Sequence, residues 1–364
     1  MDRSARAKAC AAALAGAMAG GMALAGCSGG SENAGRAGNP GPASVRTSAP
    51  VPESGSDLQQ QYVKVVDAVL PSVVKIQTDQ GEGSGVVFDA QGDIVTNAHV
   101  VAGAKKIQVT SSGGGSPMNA SLVGEFAADD LAVVKVAGAS LKPASWGESS
   151  TAQVGQIVLA MGNPLGLSGS VTNGIVSALH RTVSTKGEGA FQGSTIADAI
   201  QTSADINPGN SGGALVTLDG QVIGIPTAAA SDPQIGAAAP GIGFATPSDT
   251  VKRIVPQLIE SGKVSNSGRA ALGVAVRTIV DPQTGRRTAV AVVEVQKGGG
   301  AAKAGIRPGD LILGVNGTAT PDQTALTTVL ANLRPGQTVK VEIQKPDGSK
   351  KQVQVTLGQL PGGG

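Results

Sequence analysis

Apolar and polar positions divide the chain into a head, a tether and two patterned stretches. Residues 9–25 form an almost unbroken run of Ala, Gly, Leu and Met, too short and too poor in large side chains for a strong membrane-spanning helix. Residues 28–57 carry Gly, Pro, Ser, Ala and Asn with scattered charges and no periodicity, which predicts a flexible tether. Order begins at Leu58. Leu58, Tyr62, Val65, Val66, Val69 and Leu70 share one face of a short helix that Asp57 can cap and Pro71 stops. Strand-like runs follow at 73–78, 85–89, 94–96, 106–110, 120–123 and 131–136. A second set lies at 156–161, 171–178, 199–203, 214–217, 222–227 and 243–246. Two sets of six short runs, divided by Gly, Asn and Asp turns, predict a mainly β fold of two antiparallel six-stranded barrels. A helix starting at Ser248 or Asp249 carries Val251, Ile254, Val255, Leu258 and Ile259 and ends at Gly262, with Pro256 expected to kink or split it. This closes a first unit over 58–262. A linker over 263–268 leads to a second, small α+β unit over 269–358.

Composition narrows the chemistry. A length of 364 residues suits two domains and a tail, and 40% hydrophobic residues exclude global disorder. A net charge of +2 gives no reason to expect a nucleic-acid partner. The 54 glycines and 2% aromatics lean towards β structure, although a biased genome would produce the same skew. Two cysteines and two histidines are too few for an ordinary structural zinc site. Neither a His-Glu-x-x-His run nor a phosphate-cradling Gly-x-x-x-x-Gly-Lys loop occurs. No metal or other cofactor is expected.

The head reads as an address. Arg3, Arg6 and Lys8 precede the apolar run, the layout of a secretory signal. The run closes on Leu24-Ala25-Gly26-Cys27, which resembles the bacterial lipobox. That resemblance implies that the signal over 1–27 is cut between Gly26 and the cysteine. Acylation of Cys27 would then anchor the chain to the outer face of a bacterial cytoplasmic membrane. An ordinary signal with a chance cysteine and an uncleaved anchor are the other readings of this stretch. Processing would remove Cys10 and leave the mature chain without a disulfide.

One constellation carries reaction chemistry. A serine hydroxyl needs a base in reach, an acid to orient that base, and donors facing the oxyanion. Ser211 lies in Gly209-Asn210-Ser211-Gly212-Gly213, whose glycines permit a turn that presents the Gly209 and Ser211 N–H groups to one point. Read alone, the pentapeptide is also a plain Gly-rich turn. The hairpin signal Asp219-Gly220 between two apolar runs mounts it on a sheet. The base must be His99, at the end of a strand, or His180, beside a charged Gly-rich loop, and the surroundings of His99 favour it. Asp130 precedes the apolar strand 131–136 and is the candidate orienter. Its neighbour Asp129 is expected to be a solvated turn residue, because strand alternation turns adjacent side chains opposite ways.

The order His, Asp, Ser is that of trypsin-like proteases, and several further motifs fall in register with it. Gly83-Ser84-Gly85-Val86-Val87-Phe88, Gly92–Val101, Asp130-Leu131-Ala132-Val133, Met161–Leu167 and Gly209–Leu215 together resemble the HtrA (DegP-like) family over roughly Leu58 to Gly358. The resemblance implies chymotrypsin/trypsin-like barrels, with His99 as base, Asp130 as orienter, Ser211 as nucleophile, and the Gly209 and Ser211 amides as oxyanion hole. It implies an ATP-independent protease of misfolded or tagged exported proteins. Commonly the family forms homotrimers; the residues themselves do not set the assembly. Three departures stand out: the short span from Thr78 to Gly83, Phe126 in place of an aspartate, and Pro226 in the substrate-lining strand.

Specificity is left between two readings. Asp205 lies six residues before Ser211, where trypsin-like enzymes that cut after Lys or Arg carry an aspartate. Ile206, Ile225 and Ala228 suggest an apolar lining and an aliphatic preference. The second unit resembles a bacterial PDZ domain. Ala271, Leu272, Gly273 and Val274 match the loop that receives a peptide C-terminus, and Leu326, Leu330 and Leu333 lie on the helix expected to wall the groove. A peptide would add there as a strand; a domain that only packs on the protease is the other reading. For the whole chain, the alternative to a protease is a non-catalytic peptide-binding chaperone or scaffold at the cell envelope.

Overall fold

In a computed structural model of the chain, the described residues are 53–362 apart from 164–168, 186–189, 192, 208, 233–236 and 281–285. The signal, Cys27 and nearly all of the tether lie outside them. Two closed barrels and a PDZ-like sheet account for the strands. The first barrel holds β1 (Val73–Thr78), β2 (Glu82–Val87), β3 (Asp93–Thr96), β4 (Ile107–Thr110), β5 (Met118–Phe126) and β6 (Leu131–Lys135), in the order β1-β2-β3-β6-β5-β4. The second holds β7 (Ile157–Gly162), β8 (Ser170–Ser184), β9 (Thr195–Thr202), β10 (Ala214–Thr217), β11 (Val222–Asp232) and β12 (Ala237–Pro247), in the order β10-β11-β12-β9-β8-β7. All of these pairs are antiparallel.

The apolar runs explain how the barrels meet. Along β6, Ala132 and Val134 fill the first barrel, while Leu131 and Val133 face the core between barrels. Along β7, Val158 and Ala160 fill the second barrel, while Leu159 and Met161 enter the same shared core. Strands buried on both faces must be apolar at successive positions, as 131–134 and 157–161 are. Two helices seal the shared core. The helix α1 (Glu53–Val69) contributes Val65 and Val69. It starts before Asp57, inside the expected tether, so Asp57 lies within the helix rather than capping it. A one-turn helix, α2 (Ala98–Val101), follows β3. The closing helix α3 (Ser248–Ser261) adds Val251, Ile254, Val255 and Leu258. Pro256 does not split α3: it lies on the exposed face, where water can meet the carbonyl it leaves unpaired.

The C-terminal unit has its own core. Its sheet runs β14 (Val274–Val280), β15 (Arg287–Val295), β16 (Leu311–Val315), β18 (Thr338–Gln344) and β19 (Lys350–Thr356), with β17 (Thr318–Ala319) beside β16. A short pair joins β13 (Ala270–Ala271) to β20 (Gly358–Gln359). The helices are α4 (Gly300–Lys303) and α5 (Gln323–Ala331). Val290, Ile312, Val341, Ile343 and Leu326 fill the space between sheet and α5. Leu333 falls beyond the end of α5, so it does not wall the groove as expected but packs at the margin of this core.

Asp322 caps α5, accepting from Ala325 N–H at 2.8 Å and from Arg287 at 3.0 Å. The Ala325 N–H, and then the Arg287 guanidinium, hold its carboxyl below the usual range. The folded state therefore releases this proton more readily than the unfolded chain, whose aspartates titrate near pH ~3.9. The cap's contribution is complete above that value and fades as pH falls through the lowered folded value. Asp322→Ala should cost about 1 kcal/mol of PDZ stability near neutral pH, read by denaturant unfolding, with the difference shrinking in acid.

Candidate active site

The pairing of β3 with β6 in the first barrel brings His99 and Asp130 together, and Thr227 on β11 reaches them from the second. Asn97 ends β3 in extended conformation, and His99 sits on α2, its side chain about one-third exposed at 32%. Asp130 follows the tight turn Ala127–Asp129 and opens β6 with φ 53° and ψ 45°, the left-handed region. Its carboxylate is sealed from solvent. One oxygen accepts the His99 main-chain N–H at 3.0 Å, and the other accepts His99 Nδ1–H at 2.7 Å and the Thr227 hydroxyl. An ionised carboxylate only accepts. His99 must then carry its proton on Nδ1, leaving Nε2 as the basic nitrogen. Phe191 covers one side of the imidazole, ring centroids 5.9 Å apart. His180 is not a rival: it is exposed on β8 and pairs with the likewise exposed Asp198, at 3.5 Å.

Ser211 lies on a loop stitched from both barrels. Asn207 C=O accepts from Asn210 N–H at 3.1 Å, and Gly209 has φ 108°, the sign that the third residue of a type II turn requires. Asn210 ties the loop back through its amide, donating to Asp205 C=O at 2.9 Å and accepting Asn207 N–H at 3.0 Å. From the first barrel, Ser84 donates its N–H to Ser211 C=O at 2.9 Å and its hydroxyl to Gly209 C=O at 2.5 Å. The same hydroxyl accepts Asn163 N–H at 2.7 Å. Among the described residues no hydrogen bond links the Ser211 hydroxyl to His99, a contact that often tightens only when substrate binds.

Gly213 shows how close the backbones run here. A Cβ on it would stand 2.1 Å from Met161 C=O. Gly213→Ala should therefore displace the Ser211 loop and lower stability by about 1–3 kcal/mol, seen as a lower midpoint in thermal unfolding together with reduced hydrolysis.

Other sequence expectations fare unevenly. Asp129 is not solvated: it is buried and paired with Arg269 at 2.7 Å. Alternation fails because residues 127–129 form a turn, so both carboxylates point inward to different partners. Burial pushes the Asp129 carboxyl up, while Arg269 and then Arg253 pull it down. Asp205 is exposed and, among the described residues, engages Thr172 and Asn210 through its main-chain oxygen. Ile206 is buried against Gly243, where a Cβ would lie 2.3 Å from its Cγ1. Ile225 is enclosed in the core between barrels rather than facing open space. Ala228 pairs with Phe244 on β12 through the backbone, and its side chain lies outside the described residues. Thr227 and Ser84 drew no role from the sequence; the only signal was Ser84's place inside a family motif.

In the C-terminal unit a groove of about 520 Å³ runs between α5 and β14, which is the edge of its sheet. Ala271, Leu272, Gly273 and Val274 line one end, and Leu326 and Leu330 line the wall. Arg269 also borders it.

Two six-stranded barrels meeting at a buried Asp–His pair define a trypsin-like peptidase, here joined to a PDZ domain. Residues 83–225 match the trypsin-like peptidase domain family and residues 270–357 the PDZ domain family. Serine protease PepD of Mycobacterium tuberculosis is 43% identical over 347 residues, covering 90% of this chain and 71% of that protein. The probable periplasmic serine endoprotease DegP-like of Chlamydia trachomatis is 37% identical over 290 residues, and the match spans 78% of this chain but only 55% of that relative. Among solved structures, the HtrA-type protease AlgW with a decapeptide superposes with TM-score 0.55 at 32% identity, covering 83% of this chain and 99% of that one. The chain belongs to the HtrA/DegP family of serine proteases and is a serine endopeptidase with one PDZ domain, which sets aside the non-catalytic scaffold.

Proposed function

We propose that the chain is an ATP-independent endopeptidase of misfolded or tagged exported proteins, with Ser211 as nucleophile, His99 as general base and Asp130 as its orienter. The observation that carries this is the sealed Asp130 carboxylate holding His99 Nδ1 at 2.7 Å, with the Ser211 loop sewn to the same seam through Ser84. His99 Nε2 takes the Ser211 proton as Oγ attacks the scissile carbonyl. Asp130 stabilises the imidazolium, and the Gly209 and Ser211 N–H groups hold the oxyanion. His99 then protonates the leaving amine, and water, deprotonated by His99, hydrolyses the acyl-enzyme.

The groove supports a recruitment role. The amides around Leu272–Val274 would receive a C-terminal carboxylate, and the free edge of β14 would pair with the peptide as an added strand, beside Leu326 and Leu330. For cleavage itself we favour small aliphatic side chains, because Ile206 fills the space over Gly243 and Asp205 is turned to solvent. Periplasmic DegP-like relatives support export; lipidation at Cys27 on the 28–57 tether, and a homotrimer, complete the proposed arrangement. Digestion of reduced casein without nucleotide, with fragments mapped by mass spectrometry, tests the reading. Internal cuts after Val, Ala or Ile are expected. Cuts confined to Lys and Arg would reverse the pocket assignment, and an intact substrate would end the endopeptidase reading.

A further inference from the structure

Asp130 is held in a backbone conformation that a residue with a Cβ rarely adopts, at φ 53° and ψ 45°. Such a conformation persists only where the surroundings over-determine it. Several contacts do so. Asp130 N–H reaches Ala127 C=O at 3.1 Å, Asn97 Nδ2 donates to Asp130 C=O at 2.9 Å, and the Thr246 hydroxyl donates to Asp129 C=O at 3.1 Å. All of these come from within the barrels. The His99 main-chain N–H and the Thr227 hydroxyl hold the Asp130 carboxylate from the barrels as well. One further support of the turn does not come from them: Arg269 Nη1 donates to both Ala128 C=O and the Asp129 carboxylate, each at 2.7 Å.

We propose that Arg269, which opens the PDZ domain, is a positioning residue for the protease: by clamping Ala128 and Asp129 it holds the left-handed turn that aims the Asp130 carboxylate at His99. The inference rests on the triad assigned above. The clamp is anchored on both sides. Arg269 C=O accepts Leu360 N–H at 2.8 Å, the Ser267 hydroxyl donates to Leu360 C=O at 2.7 Å, and Leu360 packs against the core between barrels. The side chains of Arg269 and Asp129 are 7% and 3% exposed, so water cannot substitute for either partner. The other charges acting on Asp129 are Arg253, which is attractive and donates to Ser267 C=O at 3.0 Å, and Asp198, which is repulsive. Neither contacts the turn as Arg269 does. The protease unit thus borrows one support of its Asp130 turn from the segment that begins the next domain, and Asp129, read from sequence as a solvated neighbour, is the handle.

The test is turnover of a quenched-fluorescence peptide with an amidated C-terminus by the full chain. Arg269→Gln should lower kcat roughly ten- to a hundredfold with KM within about threefold of wild type, and Arg269→Lys should recover most of the loss. Because Arg269→Gln strands a buried carboxylate and can compromise folding, the double variant Arg269→Gln/Asp129→Asn is measured beside it. The double variant should regain the wild-type unfolding midpoint while kcat stays low. Wild-type kcat in the double variant would show that the pair only compensates a buried charge and would overturn the proposal. So would a folded Arg269→Gln enzyme with unchanged kcat, or one that changes in KM alone. Ser211→Ala run in parallel separates the failures. If it stays active, the triad is misassigned and the clamp falls with it; if it is dead while the Arg269 variants turn over normally, only the clamp is lost.

Discussion

Ser211→Ala is expected to lower the turnover of unfolded casein by roughly a millionfold, while binding of a free C-terminal peptide to the PDZ groove stays within about twofold. The size of the first effect follows from the way triad members act as a unit. Without Oγ there is no acyl-enzyme, and His99 and Asp130 are left with no proton to move. The second follows from separation: the groove is built on β14 and α5, and its hydrophobic core shares no residue with the Ser211 loop. Casein hydrolysis followed by peptide fluorescence, and peptide binding by anisotropy, give the two readouts on one preparation. Cleavage by the variant at wild-type rate would mean that another residue attacks the substrate.

Asp130→Asn should be nearly as costly, lowering kcat about ten-thousandfold with little change in KM. Asparagine has nearly the same shape, so its one oxygen can still accept the His99 main-chain N–H, while the amide nitrogen falls where His99 Nδ1 and the Thr227 hydroxyl meet the carboxylate. That N–H₂ donates where the carboxylate only accepts. If that group faces His99 Nδ1, the ring must place its proton on Nε2 and can no longer take one from Ser211. The buried site also loses the negative charge that stabilises the imidazolium. Steady-state kinetics on a short peptide measures the effect, with thermal unfolding showing that the variant is folded. A fall of less than about tenfold would mean that Asp130 does not orient the base.

The reach of sequence reading can be judged residue by residue. His99, Asp130 and Ser211 stand inside short motifs whose neighbours dictate local backbone, so each could be named from the sequence alone. The barrels were legible because strands such as β6 and β7 carry unbroken apolar runs, 131–134 and 157–161, as burial on both faces demands. What stayed hidden depends on contacts distant along the chain. Thr227 reaches Asp130 across 97 residues and Ser84 reaches Gly209 across 125, and no local pattern marks either. Asp129 was misread because a strand rule was applied to a turn. Ile225 looked like a pocket residue, but the register of β11 sends it into the core between barrels. The early start of α1 and the continuous α3 are failures of local rules where solvent was available to absorb the cost.

The most direct test of the mechanism is labelling with a fluorophosphonate, which reacts only with a serine activated by a neighbouring base. The expected result is a single adduct on Ser211, absent from His99→Ala and strongly slowed in Asp130→Asn. An adduct mapped to another serine, or equal labelling of Ser211 in His99→Ala, would contradict the assignment of Ser211 as a nucleophile activated by His99.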